Sequence, residues 1–219
     1  MKLSAKGLSQ SFGALKVIQN LSIDVPEGQM FCILGPSGCG KSTLLNNLSG
    51  LLKPDAGEVF WDQTSLYQLS NQEFTEFRAA NFSHIFQHFH LLQHLTAFEN
   101  ARLPLHFRGE NDIESRTRGA LETVGLLGRM DHYPHQLSRG ERQRLAIARA
   151  LTFSPKVLFA DEPTASLDPA NAKHVFEILK KLTPQCTVIA VTHDWELAKM
   201  AHVTMEMREG KLYPFQGIK

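Results

Sequence analysis

Residues 35–43, GPSGCGKST, match the pattern G-x-x-x-x-G-K-[ST], with glycine, glycine, lysine and serine at its fixed positions. Glycines permit backbone conformations closed to other residues, so a run of backbone N–H groups can surround an anion. Lys41 is expected to reach the β- and γ-phosphates, and the Ser42 hydroxyl to ligate Mg²⁺. The stretch therefore predicts a site for a nucleoside triphosphate and Mg²⁺, lined by Gly35, Pro36, Ser37, Gly38, Cys39, Gly40, Lys41, Ser42 and Thr43.

The residues on either side of this phosphate loop supply the context that the pattern requires. Residues 30–35, MFCILG, form a short apolar run, which predicts a buried strand of a parallel sheet. The residues after the loop fit one apolar face of a helix, with Leu44, Leu45, Leu48, Leu51 and Leu52. The order of strand, loop and helix predicts an α/β fold with a mainly parallel sheet.

Length, charge and cysteine content limit the other possibilities. The 219 residues suit one large α/β domain or one domain with an inserted lobe, and the net charge of +1 gives no argument for bulk binding of nucleic acid. There is no apolar run of about 18 residues and no apolar stretch of a signal peptide, so we expect a cytoplasmic protein. Cysteines 32, 39 and 186 are too scattered to predict a disulfide framework or a zinc site.

The first thirty residues alternate polar and apolar stretches with turn signals at Gly13 and Gly28, which predicts two or three antiparallel strands before the phosphate loop. Phe12 lies in this region, and two interpretations of its ring remain open. It is either a core residue, which residue type alone favours, or a platform for a nucleotide base. Base–aromatic stacking contributes about 1–3 kcal/mol with any base.

The sequence becomes rich in histidine between residues 88 and 136. A serine or threonine followed three positions later by glutamate predicts helices that begin after Ser70, Thr96 and Ser138, and another helix is predicted near 112–124. This block is interpreted as a helical lobe inserted between strands of the main sheet. Its histidines lack the spacing of a metal site and are interpreted as solvated or interfacial, namely His88, His90, His94, His106, His132 and His135.

Three further strand candidates, at 81–87, 156–162 and 187–192, end in or are followed by side chains that can bind or activate water. These side chains are Gln87, Asp161, Glu162 and His193. Asp168 is placed to cap a helix that begins at Pro169. The residues beyond 203 predict a short closing hairpin.

The phosphate loop, Gln87, LSRGE at 137–141, VLFADE and SLD at 157–168, and His193 together resemble the nucleotide-binding subunit of an ABC transporter. The resemblance runs from Phe12 to about Gly210. It implies a single ABC ATPase domain, 1–219. Residues 1–87 and 155–219 would form the P-loop NTPase core with an N-terminal antiparallel β subdomain, and about 88–154 would form an α-helical subdomain that ends in the signature helix.

The resemblance also implies a role for each motif residue. Glu162 would be the catalytic base, and His193 would contact the γ-phosphate. Phe12 would stack on adenine, and Ser138 and Gly140 would bind the ATP held by a second copy. The implied catalytic set is Glu162, His193, Lys41 and Gln87, and the metal set is Ser42, Gln87 and Asp161. The nucleotide-binding set adds Phe12, Ser138, Gly140 and Asp168 to the phosphate loop.

The implied function is ATP hydrolysis by a homodimer that drives an integral-membrane permease, with the ATPase on the inner face of the cell membrane. Residues 85–105 are similar to ATPases of the lipoprotein-release, macrolide-efflux and cell-division type, which favours export or mechanotransmission. Gln93 and Ala101 depart from that pattern, where proline and valine are common. No nucleic-acid partner is expected.

Arg139 also departs from the family pattern, because it occupies a glycine position of the signature motif. It either points to solvent with little effect or alters the closed dimer. An alternative function is a soluble ABC ATPase that acts on nucleic acid or ribosomes, although such proteins usually have two cassettes or long coiled coils. A simple P-loop kinase or GTPase would not need LSRGE.

Overall fold

Two sheets form the framework of the computed structural model, which describes residues 2–108, 111–165 and 167–215. The strands are β1 Leu3–Phe12, β2 Leu15–Val25, β3 Met30–Leu34, β4 Ala56–Trp61, β5 Thr64–Ser65, β6 Phe82–Ile85, β7 Val157–Asp161, β8 Thr187–Thr192, β9 Val203–Arg208 and β10 Lys211–Pro214. The helices are α1 Lys41–Leu48, α2 Asn71–Asn81, α3 Ala97–Phe107, α4 Ile113–Thr123, α5 Arg139–Leu151, α6 Pro169–Lys181 and α7 Trp195–Ala198.

The smaller sheet is antiparallel, with the order β2-β1-β4-β5, and the larger has the order β10-β9-β3-β8-β7-β6. Neighbours in the larger sheet run parallel, apart from the antiparallel pair of β9 and β10. The predicted α/β fold, with a mainly parallel sheet preceded by antiparallel strands, is confirmed. The closing hairpin is β9–β10, and residues 216–219 lie outside the described ranges.

The central strands of the larger sheet are buried on both faces, as their continuous apolar sequences predict. Successive strand residues point to opposite faces. Phe159 and Ile189 therefore pack into the core shared with α1 and the smaller sheet. Their neighbours Leu158 and Val188 pack into the core beneath α3, α4, α5 and α6. This two-sided burial fixes the edge at which the carboxyl ends of β3, β7 and β8 meet.

Three helices begin at the capping boxes that the sequence predicts. In each, the hydroxyl of Ser70, Thr96 or Ser138 accepts a hydrogen bond from the N–H three residues later, and the glutamate there accepts one from the cap N–H. At α5, the Glu141 N–H lies 3.2 Å from Ser138 Oγ, and the Ser138 N–H lies 2.8 Å from the Glu141 carboxylate. Loss of such a cap destabilises a helix by about 1 kcal/mol.

Two predicted elements are shorter in the structure than in the sequence interpretation. Helix α1 ends at Leu48 and does not reach Leu52, because Gly50 follows at φ +71°, in the left-handed region that terminates helices. Leu51 is 43% exposed as a result. Strand β6 ends at Ile85, so Gln87 lies in the loop after the strand.

An aromatic cluster fills the core beside β6. The ring centroids of Trp61 and Phe82 are 4.5 Å apart, and those of Phe82 and Phe159 are 5.5 Å apart. The imidazole of His84 stacks on Phe159 at 5.1 Å, and its buried Nε2 has no hydrogen-bond partner among the described residues. Burial, with a smaller contribution from the positive charge of Arg78, lowers the pKa of His84 to about 4.

His84 should make the fold sensitive to acid. Its ordinary pKa is 6.5, so between pH 6.5 and 4 the unfolded chain binds a proton that the folded chain does not bind. The free energy of unfolding should therefore fall as the pH falls, by about 2 kcal/mol from this group between about pH 7.5 and 5. His84→Phe keeps the stacking and should remove that part of the loss.

Urea unfolding at the two pH values measures this difference, and the same substitution at the exposed His106 is the control. If the stability of the His84→Phe variant has the same pH dependence as that of the wild type, His84 is not the cause of the acid sensitivity.

Candidate active site

The phosphate loop connects β3 to α1 and is held close to two other strands. Gly40 has φ +105°, and a Cβ there would lie 2.7 Å from Val17 Cγ1 and 3.0 Å from Met207 Cε. Gly35 is equally confined, because its Cβ would lie 2.8 Å from the Met207 carbonyl oxygen. The loop therefore depends on glycine for space as well as for backbone angle. Helix α1 begins at Lys41, so its first N–H groups face the loop.

Lys41 is buried, and its ammonium contacts three oxygens. It donates hydrogen bonds to the Gly35 carbonyl at 2.8 Å and the Pro36 carbonyl at 3.0 Å. It also forms an ion pair with Glu162 Oε1 at 3.2 Å, and the two side chains are only 5% and 11% exposed. A buried charge needs such a partner, because desolvation of an unpaired ion costs several kcal/mol.

Glu162 connects the lysine to His193, which directly follows strand β8. Glu162 Oε2 lies 2.9 Å from His193 Nδ1. Its backbone has φ +44°, an unfavourable conformation for a side chain of this type, and its N–H donates to the Val191 carbonyl at 3.1 Å. Strained backbone of this kind is concentrated at functional sites. Here it turns the carboxylate toward the phosphate loop.

Asp161 lies at the end of β7 and accepts a hydrogen bond from Ser42 Oγ at 2.7 Å. Burial raises the pKa of Asp161, an effect that the Ser42 hydrogen bond partly offsets. A bound cation would stabilise the charged carboxylate. A hydroxyl and a carboxylate oxygen are ligands that Mg²⁺ accepts when phosphates and water complete its shell, so the residues fit this ion.

Most of the predicted site residues line one cavity of about 390 Å³. Gly35, Pro36, Cys39 and Asp161 are not among its lining residues, nor are those at the starts of α5 and α6. Its lining comprises Phe12, Val17, Ser37, Gly38, Gly40, Lys41, Ser42, Thr43, Gln87, Glu162, Ala165 and His193. Phe12 is 54% exposed, so the interpretation of its ring as a core residue is wrong. Its ring is free to contact a ligand in this cavity.

Ser138, Gly140 and Asp168 lie at the starts of α5 and α6, and none of them is among the residues that line this cavity. Asp168 accepts a hydrogen bond from the side-chain amide of Asn171 at 2.6 Å and another from the Asn171 backbone N–H at 3.1 Å. Both bonds lower the pKa of Asp168. Arg139 is exposed, as its interpretation as a solvent-facing residue requires. Ser166 of the SLD motif lies outside the described residues.

Asn171 is a structural residue of this region that the sequence interpretation missed. A Cβ on Gly140 would lie 2.9 Å from Asn171 Oδ1, which also accepts a hydrogen bond from Arg144 at 3.3 Å. The start of α5 thus packs directly on the start of α6. The available signal was its position three residues after the Asp168 cap, where a polar side chain can bond to the cap.

The family model of the ABC transporter matches residues 18–165, which is more than half of the chain. The chain belongs to the ABC transporter family. It is an ABC ATPase, the nucleotide-binding subunit of a transporter, and it binds and hydrolyses ATP. The predictions of this family, of ATP as its nucleotide and of ATPase activity are confirmed.

Relatives of similar length support this assignment. The chain is 43% identical over 214 residues to MJ1508 of Methanocaldococcus jannaschii, an uncharacterised ABC transporter ATP-binding protein, covering 96% of this chain and 94% of the relative. It is 39% identical over 210 residues to LolD of Bdellovibrio bacteriovorus, the ATP-binding protein of a lipoprotein-releasing system, covering 94% and 96%. It is 38% identical over 200 residues to the ABC transporter ATP-binding protein YtrE of Bacillus subtilis, covering 90% and 87%.

Solved structures of an ABC transporter cassette have the same fold. A dimeric structure of MJ0796, a bacterial ABC transporter cassette, superposes with a TM-score of 0.88 at 33% identity, covering 99% of this ABC ATPase and 100% of that chain. A dimeric post-hydrolysis state of MJ0796 bound to ADP and Pi gives a TM-score of 0.87 at 34% identity over 99% and 100% of the two chains. In the ranges that the structure describes, none of the helices combines the length and apolar character needed to cross a membrane.

The tight packing at Gly40 should make it less tolerant of a methyl group than Gly38. Both glycines have positive φ, but a Cβ on Gly38 would have no atom within 4 Å. Gly38→Ala should therefore lower stability by about 1 kcal/mol through backbone strain alone. Gly40→Ala should lower it by about 1–3 kcal/mol more and weaken ATP binding, because Val17 and Met207 must move.

Denaturant unfolding and titration with a fluorescent ATP analogue measure the two effects. Equal losses in the two variants would show that the loop is not confined by β2 and β9.

Proposed function

We propose that this ABC ATPase works as a head-to-tail homodimer that closes on two ATP molecules and thereby drives an integral-membrane permease. The observation that carries the proposal is the division of the family motifs between two surfaces. Residues of the phosphate loop, Glu162 and His193 line the cavity, whereas Ser138 and Gly140 are not among its lining residues. A second copy would bring its own Ser138 helix start to that cavity. The dimeric MJ0796 cassette supports this arrangement.

In each site, Lys41 would leave the Glu162 carboxylate and neutralise charge on the β- and γ-phosphates. Glu162, relieved of that ion pair, would orient the attacking water and accept its proton while His193 contacts the γ-phosphate. The bond from the γ-phosphorus to the bridging oxygen then breaks, giving ADP and phosphate. Positioning and charge neutralisation account for most of the catalysis of phosphoryl transfer.

Three further parts of the proposal concern the ligands. Ser42 and Asp161, together with Gln87, would hold Mg²⁺, which supplies positive charge to the phosphate oxygens when bound. Phe12 would stack on adenine, and its 54% exposure supports that role. Asp168 would lie at the contact between the two copies. The proposed division into a core, 1–87 and 155–219, and a helical subdomain, about 88–154, places α3, α4 and α5 in the latter.

Two complementary variants test the composite site. Glu162→Gln removes the base and keeps the phosphate contacts, and Ser138→Arg places a bulky cation at the helix start that would meet the partner's ATP. Each variant alone should retain less than about one-hundredth of the wild-type kcat. Their equimolar mixture should recover about a quarter of the wild-type rate, because half of the dimers are hybrids with one intact site.

The control is a mixture of Glu162→Gln with the double variant that carries both substitutions, whose hybrids contain no intact site. If the mixture of Glu162→Gln and Ser138→Arg hydrolyses ATP no faster than the two variants measured separately, the proposal that each active site is formed by two copies is wrong.

We infer that the membrane partner is a permease of the lipoprotein-release, macrolide-efflux or cell-division type, which would place the ATPase peripherally on the inner face of the cell membrane. The pattern of residues 85–105 and the similarity to LolD support this choice over an importer. Transport outward or transmission of force to the permease follows from that type.

Affinity purification from detergent-solubilised membranes tests the partner. The tagged chain should retain an integral-membrane protein, and the extracted complex should hydrolyse ATP. Recovery with RNA or ribosomal proteins, and without a membrane protein, would favour the alternative function and contradict the permease. An untagged extract processed in parallel is the control for nonspecific retention.

A further inference from the structure

The loop after Gln87 is tied to the signature helix by an arginine near the end of that helix. Arg149 of α5 donates one hydrogen bond to the Phe89 carbonyl at 2.8 Å and a second to the His90 carbonyl at 2.5 Å. The side chain is half-buried, and desolvation lowers its pKa. The planar fork of a guanidinium is suited to two acceptors side by side, whereas a lysine ammonium has no such geometry.

Neighbouring contacts fix the same stretch of backbone. The guanidinium of Arg142, about two helical turns before Arg149, lies over the Phe89 ring at 5.8 Å. Asn100 of α3 is fully buried and holds the next part of the loop. Its amide donates to the carbonyls of Leu92, Leu95 and Thr96 at 3.0 Å each, and its oxygen accepts the Leu92 N–H at 2.9 Å.

Gln87 is therefore placed between two different anchors. Upstream, Ile85 is paired with Ala160 in the parallel sheet, two residues before Gln87. Downstream, the backbone at Phe89 is attached to α5, two residues after it. Gln87 itself is exposed and lines the nucleotide cavity. If α5 moves relative to the sheet, the backbone between Ile85 and Phe89, which includes Gln87, must change conformation.

We infer that Arg149 is a positioning residue that couples the placement of the signature helix to the placement of Gln87. The helix carries Ser138 at its start and Arg149 about 16 Å further along its axis, at about 1.5 Å per residue. When the start of α5 docks on the nucleotide of a second copy, the carbonyls held by Arg149 move with the helix. This movement would bring Gln87 to the position from which it would help to hold Mg²⁺. The inference rests on the proposed role of Gln87 in holding Mg²⁺ for the reaction.

Steady-state kinetics of Arg149 variants test this coupling. Arg149→Met keeps the apolar stem and removes both donors, so kcat should fall about tenfold or more while KM for ATP changes less than about twofold. Arg149→Lys keeps the charge and loses the fork, so it should recover only part of kcat. Arg118→Met, at an exposed pair with Glu114 in α4, is the matched control and should keep the wild-type kcat.

The decisive measurement is the same substitution in a Gln87→Ala background. If Arg149 acts through Gln87, Arg149→Met should lower kcat by less than about twofold there, because the group that it positions is already gone. A purely structural role would reduce kcat by the same factor in both backgrounds. Thermal unfolding establishes that every variant is folded at the assay temperature.

The outcomes separate this inference from the proposed function. If Gln87→Ala lowers kcat and Arg149→Met does not, the coupling is overturned and the role of Gln87 stands. Equal fold-losses from Arg149→Met in both backgrounds also overturn the coupling. If Gln87→Ala leaves kcat unchanged, the proposed role of Gln87 is wrong, and the inference fails with it.

Discussion

The ion pair between Lys41 and Glu162 is the interaction on which the candidate active site depends. Both groups are buried, and each compensates the desolvation of the other. The pair also joins the phosphate loop to the carboxyl end of β7, which is adjacent to β8 and the histidine that follows it. The parallel sheet thus serves a specific purpose, because it presents the ends of neighbouring strands at one edge beside the helix that begins with Lys41.

The same pair sets up a competition between two anions for one ammonium. The triphosphate carries more negative charge than a single carboxylate, so binding of ATP favours transfer of Lys41 to the phosphates. Glu162 would then be released only when there is a substrate for it to act on. In the proposed mechanism, activation of the base and binding of the nucleotide are consequently one event.

The features that were predictable from sequence are those whose partners lie nearby along the chain. A capping box such as Ser138 with Glu141 connects residues three positions apart, and the phosphate loop combines a local glycine pattern with a helix start. The end of α1 was missed because Gly50 was interpreted as part of a continuous apolar face. The contacts of Asn171 with α5 and of Arg149 with the loop after Gln87 were missed because each joins elements well separated in sequence, and no local spacing encodes them. For Phe12 the sequence left two interpretations open, since an aromatic side chain near a strand end is compatible with either burial or exposure. Its exposure in the folded chain was needed to decide between them.

The confinement of Gly35 and Gly40 by Met207 has a consequence for synthesis of the protein. The phosphate loop leaves the ribosome well before β9, the strand that forms one wall around it. A nascent chain that has reached only α7 contains the whole motif without this wall. The loop is therefore confined on this side only after β9 has been translated.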